Sequence, residues 1–220
     1  MKLTGLPAEN HTFIAGMDLV AGPPYYPRKP MRKWDLTRHP MWLNFSQPTL
    51  LNLNTDWEKK KYLAVVTTDS TYESWIELLI EGGRPEKAPP GSFVPAAHPI
   101  HLHGHDFALL DQSSSGYDPV EAAKRIKRDN PPRRDVALLP SNGYLIIAFK
   151  ADNPGVWLTH CHIAWHASSG LALQILENKD EIHFGHQTLR SMRKTCQKWA
   201  QWYKRQQAKL HEPLQEDSGI

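Results

Sequence analysis

Cysteine is nearly absent, with two in 220 residues. Two thiols cannot staple a chain of this length, so a disulfide scaffold is excluded, and the length itself allows one sizeable hydrophobic core. Long apolar runs are lacking too. The longest are strand-sized, too short to cross a bilayer as a helix. The first residues, Met1 to Asn10, hold no apolar h-region, so no signal peptide is expected in the chain. No sign of charge dominates: the net charge is +3 with 22% charged residues. That balance gives neither the basic footprint of a nucleic-acid binder nor the composition of a disordered chain. What is abundant is histidine. Of the 12, seven fall in two short segments, His98, His101, His103 and His105 in one and His160, His162 and His166 in the other, where Cys161 also lies. Such clustering favours metal.

Short apolar runs separated by Pro- and Gly-rich breaks fill most of the chain. Strands are expected over 12–20, 41–45, 49–53, 62–67, 72–81, 99–110, 135–139, 144–150, 156–162 and 171–176, with loops at 22–30, 82–91 and 129–133 and a short helix over 119–128. The close spacing of the early runs suits neighbours in an antiparallel sheet. Many short strands with such turns imply an all-β sandwich or barrel. Leu189, Met192, Cys196, Trp199 and Tyr203 recur at steps of three and four, which predicts an amphipathic helix over 187–209. Its other positions carry Arg190, Arg193, Lys194, Lys198, Lys204 and Arg205, read as a solvated face. The chain thus divides into an N-terminal strand and Pro-rich loop (1–40) belonging to the same domain, a body carrying the histidine motifs (41–186), and a C-terminal helix and tail (187–220).

Both histidine segments sit on expected strands, where side chains alternate faces. His101 and His103 therefore share a face, about 7 Å apart along the strand. The same rule puts His160 and His162 on one face and Cys161 on the other, so the thiol serves a different metal from its neighbours. Further ligands for it are at hand: His166 follows five residues on, after a turn, and His98 can approach from the neighbouring strand. One Cys with two His is the trigonal set of a blue-copper centre, in which thiolate and imidazole suit both Cu(I) and Cu(II). Zinc also accepts Cys and His, but structural zinc sites use paired cysteines that this chain does not have.

The segments His98-Pro-Ile-His-Leu-His-Gly-His105 and His160-Cys-His-Ile-Ala-Trp-His166 resemble the third cupredoxin domain of three-domain multicopper oxidases, closest to the laccases of ascomycete fungi. So do the stretches between them, Asn130-Pro-Pro-Arg-Arg-Asp-Val-Ala-Leu-Leu-Pro140 and Phe149-Lys-Ala-Asp-Asn-Pro-Gly-Val-Trp157. The resemblance implies a cupredoxin-like Greek-key β-sandwich or barrel with short helices. It assigns His98, Cys161 and His166 to a type 1 copper, His101 to type 2, and His103, His160 and His162 to the type 3 pair. His105 is no ligand in that pattern and is expected to hydrogen-bond or pack; Asp106 has no assigned role. Leu171 stands where many blue-copper sites place an axial Met, and since leucine cannot donate, a higher potential is expected. The implied activity is one-electron oxidation of phenolic or other small reducing substrates coupled to reduction of O₂ to water. Electrons would arrive at His166 and pass through Cys161 to its flanking histidines.

By the same resemblance the terminal Asp217-Ser-Gly-Ile220 is similar to a tail that plugs the channel toward the copper cluster. The resemblance implies two preceding cupredoxin domains, expected to be missing here; the family uses eight histidines for that cluster, four of them from the first domain, and this chain offers four, so it is expected to be incapable of O₂ reduction alone. The parent enzyme is expected to be extracellular, with sequons at Asn10-His-Thr12 and Asn44-Phe-Ser46 as glycosylation candidates. Cys196 is either a buried thiol on the helix stripe or the partner of a cysteine in an absent domain. No nucleic-acid or membrane partner is expected. A self-standing single-copper electron carrier and a non-catalytic domain with vestigial motifs are the competing readings.

Overall fold

The computed structural model describes residues 7, 9–25, 29–68, 73–83, 95–210, 215 and 217–220. Two five-stranded sheets face each other across one apolar core. The first holds β1 (Glu9–Ile14), β5 (Trp75–Glu81), β10 (Tyr144–Lys150), β7 (Phe107–Ser113) and β8 (Arg133–Arg134) in that order. The second holds β4 (Val65–Thr68), β12 (Ala172–Glu177), β11 (Gly155–Cys161), β6 (His98–Leu102) and β9 (Val136–Leu139). A separate hairpin joins β2 (Gly16–Val20) to β3 (Met31–Asp35). The result is a sandwich of mixed sheets and not a closed barrel.

Strand β10 shows why its sequence lacks alternation. Leu145, Ile147 and Phe149 enter the core between the sheets, while Tyr144, Ile146 and Ala148 meet a second apolar cluster with Ala122 of α1 (Pro119–Arg125). With both faces covered, nothing selects for polar residues. Helix α1 is started by Asp118, whose Oδ1 accepts from the N–H groups of Val120 and Glu121 at 2.8 and 3.0 Å, with Pro119 in its first turn. It stops three residues short of the expected end because the Lys127 N–H goes to Leu110 O at 2.9 Å.

Several expected strands do not form. Over 41–45 the backbone donors go to three different segments: Met41 to Gly170 O, Trp42 to Tyr62 O and Leu43 to Ser218 O. No ladder can result. Over 49–53, Asn52 donates from its backbone to Thr49 O and from its side chain to Pro48 O, closing a single 3₁₀ turn at Thr49–Leu51. The run at 62–67 divides into the end of a 3₁₀ segment (Trp57–Leu63), a left-handed Ala64 and β4. The runs at 12–20 and 99–110 are each two strands, β1 with β2 and β6 with β7. Pairing also differs from expectation, since β1 joins β5 and β4 joins β12 in parallel register. Strand β3 lies just past the expected loop at 22–30, where no strand is expected, and β8 begins at the edge of the expected break over 129–133. Residue 72, residues 26–28 of the expected loop at 22–30, and residues 84–91 of that at 82–91 lie outside the described residues.

Two further α-helices lie among the described residues. Helix α2 (Ala164–Ser169), expected only as a turn, ends at Gly170 with φ +116 against Pro40 and Met41. Helix α3 (His186–Leu210) presents Leu189, Met192, Cys196, Trp199 and Tyr203 as its less exposed stripe, none of them fully buried. Trp199 packs edge-on against Phe45 at 5.2 Å. Cys196 is half-buried and unpaired in the chain. No described helix is long and apolar enough to cross a membrane.

Candidate metal centre

Strands β6 and β11 pair antiparallel, with His101 opposite His160 and Ile100 opposite Cys161. Alternation does the sorting. In β6, His98, Ile100 and Leu102 are buried and Pro99 and His101 turn outward; in β11, Thr159 and Cys161 are buried and His160 turns outward. Two donor sets result on opposite faces of one strand pair.

On the buried face, His98 Nδ1, His166 Nδ1 and Cys161 Sγ form a triangle with edges of 3.0, 3.6 and 3.7 Å. The point equidistant from the three atoms lies about 2.0 Å from each, within the metal–nitrogen range. Helix α2 carries His166 to this position, and its backbone closes the loop: Leu171 N–H donates to His166 O at 2.9 Å and Cys161 N–H to Leu171 O at 3.0 Å. Leu171 is fully buried in the same core as Cys161. Burial sets the ionisation of all three donors. It pulls His98 down to about 4, assisted by His166 nearby, pulls His166 below its ordinary value, and pushes the Cys161 thiol up to about 11 despite the Ile163 N–H. The imidazoles are therefore neutral at pH 7 with lone pairs to donate, whereas the thiol keeps its proton until a cation displaces it.

On the outer face, ring nitrogens of His101, His103 and His160 lie within 4.8 Å of one another, His103 Nε2 and His160 Nε2 at 3.0 Å. Two of these rings are aimed by backbone carbonyls. His101 Nδ1–H donates to Asp135 O at 2.7 Å and His160 Nδ1–H to Cys161 O at 2.9 Å, leaving each Nε2 as the ring's acceptor. Burial lowers the pKa of His103 and His160, reinforced in each case by neighbouring imidazoles. His162 stands at the rim, exposed, with its ring 5.7 Å from that of His160 and 5.9 Å from that of His101.

The donor chemistry fits copper. One thiolate with two imidazoles, plus a second all-imidazole set, is the soft-to-borderline combination that copper favours, and neither set contains a carboxylate. Such a two-sheet domain with a buried Cys-His₂ triangle and an adjacent histidine cluster defines a cupredoxin-like copper domain. The sequence comparisons agree. The multicopper oxidase family model matches residues 26–181, and the chain belongs to that family. It is 44% identical over 193 residues to a laccase of Arthroderma benhamiae, covering 85% of this chain and 30% of that protein. Laccase-1 of Botryotinia fuckeliana is 40% identical over 194 residues, covering 86% of this chain and 31% of its own length. The crystal structure of the laccase from Botrytis aclada superposes with a TM-score of 0.77 at 32% identity, covering the whole chain and 36% of its own. The chain thus spans about a third of the length of these relatives.

Neighbours of the donor sets include residues that sequence patterning did not single out. Trp34 of β3 packs on both imidazoles of the thiol set, its ring centroid 4.9 Å from that of His98 and 4.4 Å from that of His166. It lies between the expected loop at 22–30 and the expected strand at 41–45, where no element is expected. Glu177 is fully buried beside His105, a contact of residues far apart in sequence. Asp106 holds Arg133 through both carboxylate oxygens, at 2.9 and 3.1 Å, and the guanidinium lies over Trp75. The tail docks on α2: Ser218 Oγ donates to Ala167 O at 2.7 Å and its N–H to Ser168 O at 2.8 Å, while Ile220 packs against the core.

Asp35, next to Trp34, is buried, and desolvation raises its pKa to about 7 against the Arg38 N–H that its Oδ1 accepts. The folded state therefore favours the protonated carboxyl. Stability is fully present below the unfolded value near 4 and is lost as pH rises through about 7. Asp35→Asn keeps an acceptor for Arg38 and removes the charge. It is expected to stabilise the metal-free chain by about 1–3 kcal/mol at pH 8, and by much less at pH 5, in urea unfolding.

Proposed function

We propose that this chain serves as the third cupredoxin domain of a laccase-like enzyme that couples one-electron oxidation of phenolic substrates to reduction of O₂ to water. The observation carrying this reading is the pair of donor sets set back to back on β6 and β11 and joined by the single peptide link between His160 and Cys161. His98, Cys161 and His166 would hold the type 1 copper, with Leu171 as the axial residue that does not bind. His101 would hold type 2, and His103, His160 and His162 the type 3 pair. Copper, when bound, supplies the one-electron chemistry.

The chain's own residues supply the rest. His98 and His166 offer imidazoles that burial keeps neutral. Half-exposed His166 on α2 is the donor through which a reducing substrate makes contact. Cys161 and its flanking histidines form the covalent path between the two sets. Four histidines make half of the family's eight-histidine cluster, which the first of two further domains completes in the working enzyme, whose place is extracellular. The half-exposed aromatic stripe of α3 suits cover by those domains.

Oxygen consumption with a simple phenol tests the proposal. The copper-loaded chain alone is expected to show no turnover above free copper. A single polypeptide that adds the two preceding laccase domains is expected to turn over. Sustained uptake by the isolated chain would contradict the half-cluster reading, and no uptake by a fully copper-loaded three-domain protein would contradict the oxidase assignment.

A further inference from the structure

The buried side chains of His105 and Glu177, with half-buried Asn153 beside them, form a polar cluster that the proposed redox chemistry does not use. The His105 and Glu177 side chains are 5% and 0% exposed, with Nε2 and Oε2 2.9 Å apart but off the hydrogen-bond direction. Burying two ionisable groups is costly and adds little stability that an apolar pair would not match. The cluster's contacts show what it holds instead. His105 Nδ1–H donates to His103 O at 3.1 Å, and Asn153 Nδ2 donates to Gly104 O at 2.9 Å. Both carbonyls of the turn that follows the His103 side chain are thereby clasped. Asn153 is itself fixed, since its N–H donates to Glu177 Oε1 at 2.8 Å and its carbonyl accepts from Trp157 Nε1 at 2.7 Å. Phe149 packs on the His105 ring with centroids 4.8 Å apart.

His103 needs such support more than its neighbours do. His101 and His160 each anchor Nδ1 on a carbonyl, whereas among the described residues the only hydrogen-bond contact of the His103 ring is with His160. A histidine ligand without a partner for its second nitrogen is free to rotate. We propose that His105, braced by Glu177 and Asn153, is the positioning residue of His103, holding through the backbone a ring that has no carbonyl anchor of its own among the described residues. This rests on the reading of His103 as a metal ligand.

Imidazole and amide NMR of the full chain, metal-free and then titrated with Zn²⁺, tests it. The rings of His101, His103 and His160 report one donor set and those of His98 and His166 the other. In the metal-free chain, His105→Phe keeps the packing on Phe149 but has no donor. It is expected to reduce exchange protection of the His103 amide, which donates to Leu158 O, by about tenfold or more and to broaden the His103 ring signal, leaving His98 unmoved. His105→Asn, whose amide nitrogen takes the place of Nδ1, is expected to restore both. Zn²⁺ affinity at the three-histidine set is expected to fall about 10- to 100-fold in His105→Phe, to recover in His105→Asn and to stay constant at the His98 set throughout. Should the Phe variant fail to fold, Asn153→Ala removes only the Gly104 clasp and carries the same expectation. An unchanged His103 amide and unchanged Zn²⁺ affinity would overturn the proposal, as would equal losses at both donor sets. If the wild-type chain bound no Zn²⁺ at the three histidines, the metal reading of that face would fail, while the His103 amide would still decide the positioning role.

Discussion

Cys161→Ser is expected to eliminate the intense visible band of the copper-loaded chain, leaving less than about a twentieth of it, because that band is thiolate-to-Cu(II) charge transfer. The geometry makes the substitution a clean probe. Cys161 is fully buried, and its Sγ accepts from the Ile163 N–H at 3.5 Å. A serine oxygen is smaller and can accept the same N–H, so the fold should lose no more than about 1 kcal/mol. What it cannot do is ionise. Burial already pushes the softer, more acidic thiol up to about 11, and only a bound cation would offset that cost. For a serine hydroxyl the cost is out of reach. Absorption and electron paramagnetic resonance of the copper-loaded variant check this, with far-ultraviolet circular dichroism as the control for folding. A surviving blue band would mean that the thiol of Cys161 is not a ligand and would remove the basis for separating the two donor sets.

That separation was legible from residues alone. Strand alternation put Cys161 opposite to its neighbours, and β11 does turn Cys161 inward and His160 outward. Periodicity likewise marked the stripe of α3, down to Leu189, Met192, Cys196, Trp199 and Tyr203. Local patterns report local geometry. The failures came where backbone partners are distant. Met41 to Phe45 has the composition of a strand, yet its donors reach Gly170, Tyr62 and Ser218, and no pattern within five residues encodes three such contacts. The parallel pairing of β1 with β5 and of β4 with β12 is equally silent in sequence.

The site shows the same division. The six donors of the two sets announce themselves by spacing and residue type. Their supports do not, because Trp34, Glu177 and Asn153 are ordinary residues made special by long-range packing. His105 lies between the two cases. Its place in the histidine run drew notice, but only the neighbouring Glu177, 72 positions along the chain and on β12, explains why a fourth histidine is buried there. The donor sets are thus written in the strands, while their rigidity depends on the tertiary fold.

Gly104→Ala is expected to lower stability by about 2–4 kcal/mol, through two terms of comparable size. Gly104 has φ +75, a left-handed conformation that a Cβ penalises by about 1 kcal/mol or more. A Cβ there would also lie 2.5 Å from the Trp157 indole, and the indole has little freedom to yield, since its Nε1 is bonded to Asn153 O. Whichever side moves, the clasp on Gly104 O is disturbed and His103 turns with it. Urea unfolding of the metal-free chain reads the first effect. Weakened Zn²⁺ binding at His101, His103 and His160, with His98 and His166 unaffected, reads the second. Gly16→Ala supplies the contrast, because nothing lies within 4 Å of a Cβ built there and its φ is not left-handed. Its effect should stay within about 0.5 kcal/mol. Equal effects at the two glycines would show that the turn after His103 is soft. The histidines of the outer face would then owe any alignment to a bound metal rather than to the protein.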